Sequence, residues 1–196
     1  MDSVTGVAEE VLKRMGACTA GRVWARGKTL QQAWKECTRG DWLLWLAARV
    51  GVDQQLLVIA ACDCARLALG YVPLDEERPR AAIEKAHAWA DGTKYVTLSQ
   101  VRSAADDAET ASLFAPYGAS LASAAAMQAA SAARAAAFSA LESAAAYQAA
   151  HTAALAAEIP YGTTGWARTQ ATAAALVRTH IPWATVRQTL LEGEAW

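Results

Sequence analysis

The chain has 196 residues, with 18 Lys and Arg against 19 Asp and Glu and a formal net charge of −1. That balance gives no basic footprint for nucleic acid and no acidic excess with which to imitate it. The length is enough to bury a core without metals or disulfides, and four cysteines without a secretory h-region are expected in a reducing, cytoplasmic protein.

In chain order, the first elements are short. Val7 to Met15 reads as a helix ending at Gly16, and Thr19 to Arg26 as one or two further turns stopped by Gly27. Thr29 stands where it can cap LQQAWKEC, whose Leu30, Ala33, Trp34 and Cys37 share a side. Gly40 interrupts, and DWLLWLAARVG restarts with Asp41 as the expected N-cap and Gly51 as terminator. Trp34, Trp42 and Trp45 are large amphipathic anchors. Such residues more often pack in a core with the indole N–H satisfied than line an aromatic site.

The stretch QQLLVIAACDCARLALGYV follows. Its composition predicts a helix over 54–70, capped by Asp53 and stopped at Gly70. Leu56, Ile59, Ala60 and Leu67 cover one side, and Val58, Ala61, Ala65 and Leu69 the other. A helix that is apolar all round belongs in the middle of a domain. Asp63 and Arg66, three apart, can pair on its surface. Cys62 and Cys64 diverge on a helix, so they read as small buried hydrophobes and not as a metal chelate.

A turn-rich connector, YVPLDEERPR, leads to a helix over 79–91 that opens on Pro79. Ile83, Ala86 and Ala90 form its inward stripe, with Trp89 beside it and His87 one turn after Ile83. Thr97 is placed to cap TLSQVRSAADDAETASLF, which Pro116 ends. From Ala119 to about Glu158 the chain predicts a long Ala-rich helical spine. Met127, Arg134, Phe138, Leu141, Gln148, Leu155 and Ile159 gather on one third of its wheel. Pro160 to Gly162 end the spine; GWARTQATAAALVRTH and a short helix after Pro182 close the chain. No segment alternates as a strand would, so the fold class is an all-α, single-domain bundle with a central apolar helix.

No glycine-rich phosphate loop, nucleophile elbow or metal-ligand spacing is present, and His87, His151 and His180 are scattered. The reading is therefore a binding protein, with no catalytic residues, metal or cofactor expected. What remains is a constellation of tryptophan and arginine. Trp45, Arg66, Arg78 and Trp89 are expected to meet where the 41–50, 54–70 and 79–91 helices join, with Asp41 and His87 alongside. Arginine forks and indole faces suit planar or phosphorylated ligands, and suit protein hot spots equally.

The order RGKTLQQAWKECTRGDWLLWLAARVG, CARLALGYVP, ERPRAAIEKAHAWADG and an Ala-rich tract, ending in RTHIPWATV, resembles the Imm-5-like immunity-protein family of bacteria and phages. The resemblance runs from about Ala25 to the C-terminus and departs at Gly70, where a proline would be more typical. It implies an N-terminal helical extension over 1–28 and an Imm-5-like helical domain over 29–196. It also implies neutralisation of a protein toxin or immune effector by binding, an anti-defence role. The alternative is a phage-type sponge that sequesters a nucleotide-like small-molecule signal in a Trp/Arg pocket. Neither nucleic acid nor a membrane is an expected partner; the Ala-rich face offers a surface to a second copy, and hence a homodimer.

Overall fold

Local chemistry decides where each helix starts and stops. The computed structural model describes residues 7–93, 95–116, 121, 124 and 144–192. Within them run α1 (Ala8–Arg14), α2 (Thr19–Trp24), α3 (Leu30–Glu36), α4 (Gly40–Val50) and α5 (Gln54–Arg66). After a 3-10 turn at Leu69–Tyr71 come α6 (Arg78–Ala90), α7 (Leu98–Phe114), α8 (Ala144–His180) and α9 (Trp183–Glu192). Thr29 and Thr97 form full capping boxes with Gln32 and Gln100. The Asp53 carboxylate accepts from the Gln55 and Leu56 amides. Each satisfies helix-end donors that would otherwise lack a partner. The only β pairing among the described residues is an isolated antiparallel bridge between Val7 and Thr29. The fold is all-α.

Two cores share the molecule, and α5 stands between them. Ala60 and Cys64 belong to the first core with residues of α1, α3, α4 and α9, and with Ala150 and the C-terminal part of α8. Val58, Ala61, Cys62 and Ala65 belong to the second, with α6, α7 and Ala149, Ala153 and Ala156 of α8. This two-sided burial is what an all-round apolar sequence requires. Ile59 packs on the second core, not with Ala60 as its place on the wheel suggests. Ala8, Val11, Leu12, Met15 and Ala25, from the segment expected as an extension, sit in the first core.

Two expectations need correcting. First, α5 ends at Arg66, because the chain tightens there into 3-10-type bonds, Leu67 N–H to the Cys64 carbonyl and Ala68 N–H to the Ala65 carbonyl. Gly70 accordingly lies outside the helix and is not among the glycines with positive φ. Second, Asp41 is not the N-cap of α4; Arg39 is, and the Asp41 carboxylate is drawn sideways to Arg39 and His151. The end of the spine expected at Pro160 to Gly162 falls at Gly162, where a φ of 61° and ψ of −160°, which favour glycine, break α8. Of the predicted spine, residues 119, 120, 122, 123 and 125–143 lie outside the described residues, Met127, Arg134, Phe138 and Leu141 among them.

One close approach ties the two halves of the chain. A Cβ at Gly40 would stand 2.5 Å from Ala173 Cβ and 2.9 Å from backbone atoms of Ala173 and Ala174. Only glycine lets α4 lie so near α8. We predict that Gly40→Ala costs about 1–3 kcal/mol by forcing the helices apart, lowering Tm by about 2–4 °C per kcal/mol. Ala61 is fully buried. Ala61→Asp places a lone carboxylate in the second core and should cost several kcal/mol in a denaturant titration; unchanged stability would show that α5 is not central.

Candidate functional site

The site grows from the three residues at the start of α4. Arg178 of α8 closes α3 by donating from Nη1 to the carbonyls of Cys37 (2.7 Å) and Trp34 (3.3 Å). The chain then runs extended through Arg39, φ −105° and ψ 102°, before α4 begins. The Arg39 guanidinium lies over two indoles, 4.6 Å from the Trp42 ring centre and 4.5 Å from that of Trp166. Its Nε and Nη2 donate to Oδ1 (2.8 Å) and Oδ2 (2.5 Å) of Asp41. This is the bidentate fork that arginine alone provides.

Asp41 is only 3% exposed, yet it is fully served. Besides Arg39, its carboxylate accepts from the Trp42 amide at 2.9 Å and meets His151 Nδ1 at 3.1 Å. Its own amide donates to Gln170 Oε1 at 3.2 Å. Burial is the largest single influence on its acidity and pushes the pKa up. The hydrogen bonds from His151 and Arg39 together outweigh it and hold the carboxyl below its ordinary value. An ionised carboxylate can only accept, so His151 carries its proton on Nδ1 when neutral and leaves Nε2 as an acceptor.

Beside this network opens a cavity of about 640 Å³. Trp24, Trp34, Trp42 and Trp45 wall it, with Cys18, Cys37, Arg39, Asp41, Gln148, His151 and Thr152 among the more polar residues of the lining. Trp24 meets Trp42 edge to face at 6.2 Å, and Lys28 Nζ sits 5.2 Å from the Trp24 ring centre. The indole N–H of Trp34, which the sequence leads one to expect satisfied, is buried and has no hydrogen-bond partner among the described residues. Volume, aromatic walls and a few convergent polar groups are the features of a small-molecule site.

The six sequence-predicted site residues divide. Asp41 and Trp45 line the cavity. Arg66 pairs with Asp63, whose Oδ2 also bonds His180 Nε2 at 2.7 Å, so this group ties α5 to the end of α8. Arg78 is exposed and bonds Glu76 through its backbone N–H (3.1 Å), Nε (2.8 Å) and Nη2. Trp89 packs on the second core, and His87 is half-buried on α6. Trp45, Arg66, Arg78 and Trp89 therefore do not meet. The reason is α5 itself: α4 lies in the first core and α6 in the second, with α5 between them.

The network's other members were less visible in sequence. Arg39 is signalled only by its place two residues before Asp41. His151 shows only as a polar interruption of the Ala-rich tract, 110 positions from its partner. The two cysteines of the CxC point to opposite cores, Cys62 toward the Ile83 carbonyl and Cys64 toward that of Ala173. Burial pushes the Cys62 thiol up to about 12 and Cys64 higher still, so neither is a ready thiolate. No group of three or more His, Cys, Asp or Glu among the described residues is placed to hold a metal ion. No described helix is long and apolar enough to cross a membrane. Comparison with family models, curated proteins and solved structures found no match for the chain.

The Asp41 network has a pH signature. A carboxyl held below its ordinary value of 3.8 contributes stability that is complete above that value and is lost as pH falls through the lower folded one. Asp41→Asn should therefore cost ~1–3 kcal/mol near neutrality, through the lost charged acceptor. The gap to the unmodified protein should narrow as the pH falls below 3.8. Denaturant titrations at neutral and acid pH check both; a gap independent of pH would mean that the carboxylate charge does not matter.

Proposed function

We propose that this protein works by binding, and that it takes a planar, nucleotide-like small molecule into the tryptophan-walled cavity, keeping it from other receptors. The observation that carries this reading is the cavity itself: four indoles around one space, beside a satisfied Arg39–Asp41–His151 network. Indole faces bind planar rings with little preference among them, worth about 1–3 kcal/mol per stacked base. The resemblance to Imm-5-like proteins supports a protective role without chemistry of its own. Sequestration of a signal molecule is favoured over neutralisation of a protein toxin, because the aromatic residues that would serve as hot spots line a concavity.

Native mass spectrometry of freshly purified protein is the test. A bound small molecule released on denaturation, with the ultraviolet absorbance of a heteroaromatic ring, is the expected result. Trp45→Ala should then weaken rebinding roughly tenfold or more while the helical circular dichroism is retained. A protein partner held at one-to-one stoichiometry, with the cavity variant binding it unchanged, would overturn the reading in favour of toxin neutralisation. Turnover of many ligand molecules per chain would overturn both.

A further inference from the structure

We infer that the cavity reads the uncharged heteroaromatic part of its ligand, with His151 accepting a ligand N–H, and that it does not read a phosphate; this rests on the small-molecule reading just proposed. The first ground is charge. Among the described residues Arg39 is the only lysine or arginine lining the cavity, and its charge is already matched by Asp41 through two hydrogen bonds. It also lies over the Trp42 and Trp166 rings. A phosphate brought into the cavity would find no unmatched cation among the described lining residues and would lie near the buried Asp41 carboxylate. Transfer of such an anion from water is costly without a partner.

The second ground is the acceptor that the network leaves. Asp41 holds His151, which lines the cavity, by Nδ1, so the neutral imidazole offers the lone pair of Nε2. The Thr152 hydroxyl is committed to the Gln148 carbonyl at 2.8 Å. An acceptor beside several indoles suits a planar ring that carries an N–H, as the lactam and amidine edges of nucleobases do. In this scheme Asp41 is a positioning residue: it fixes which nitrogen of His151 is available.

Isothermal titration calorimetry at pH 8 tests this with four uncharged probes, benzimidazole, 1-methylbenzimidazole, adenosine and guanosine, and with the two nucleoside 5′-monophosphates and inorganic phosphate. Benzimidazole, which has the N–H, should bind roughly tenfold more tightly than its N-methyl analogue. His151→Phe keeps a ring but removes the acceptor. It should erase that preference with little change for the methylated probe, and His151→Gln, whose carbonyl can accept, should restore part of it. Each nucleoside should bind at least as tightly as its monophosphate. Equal affinity for the two benzimidazoles, or a preference that survives His151→Phe, would overturn the inference. So would monophosphates binding more than tenfold more tightly than nucleosides, or inorganic phosphate displacing a nucleoside. Each of these leaves the small-molecule reading standing, whereas no binding by any probe overturns both.

Discussion

Three consecutive residues, Arg39, Gly40 and Asp41, hold the two parts of a broken helix to one point. On the C-terminal side of Gly162, Trp166 stacks on Arg39, Gln170 accepts the Asp41 amide, and Ala173 abuts Gly40. On the N-terminal side, His151 bonds the Asp41 carboxylate. A helix broken at a positive-φ glycine has no backbone ladder to fix the angle between its parts. Contacts from α4 to both sides supply that constraint. If Gly40 could not come so close, Gln170 and Trp166 would be out of reach, and Asp41 would be left buried with fewer partners.

The same economy of side-chain volume runs through both cores. The second core is mostly alanine, from Ala61 and Ala65 on α5 through Ala82 and Ala86 on α6 to Ala104, Ala105 and Ala108 on α7. Small side chains let helices lie close and gain stability from many weak dispersion contacts instead of from a few large groups. The first core is built differently, with Trp34, Leu30, Leu44 and Ile181 among its fully buried residues. Wide aromatic groups on short helices leave a space between them that alanine-lined helices do not. That difference in residue size is why the cavity lies on the first-core side of α5.

Much of the fold could be read from sequence because it depends on local rules. The caps at Thr29, Asp53 and Thr97 and the left-handed stop at Gly51 act within four residues. The all-round apolar pattern of α5 fixes its central place whatever its neighbours are. The site was harder because its members are far apart in the chain. Asp41 looks like a cap by position, and only the structure shows that His151 and Gln170, 110 and 129 residues away, claim its atoms. Of the residues expected at one site, Asp41 and Trp45 line the cavity, while Arg66, Arg78 and Trp89 lie elsewhere, because two residues near in sequence can lie on opposite sides of a central helix.

The structure also departs from its own rules. Arg22 Nε, Trp34 Nε1 and Gln170 Nε2 are buried donors without partners among the described residues, the first two on the short helices α2 and α3 and the third beside the α4 contact. The orientation of Gln170 is not free: turning its amide over would set its N–H₂ against the Asp41 amide, so Oε1 must face that amide and Nε2 is the group left over. Each unmet buried donor costs about 1–3 kcal/mol, a large share of the stability of an ordinary domain. Phenylalanine at 34 would remove that unmet donor, at the cost of the space its smaller ring leaves unfilled. Violations of local rules in otherwise consistent chains tend to gather where function asks for them. Here one violation belongs to Trp34, which lines the aromatic cavity, and another to Gln170, whose amide oxygen holds the Asp41 backbone beside the same network.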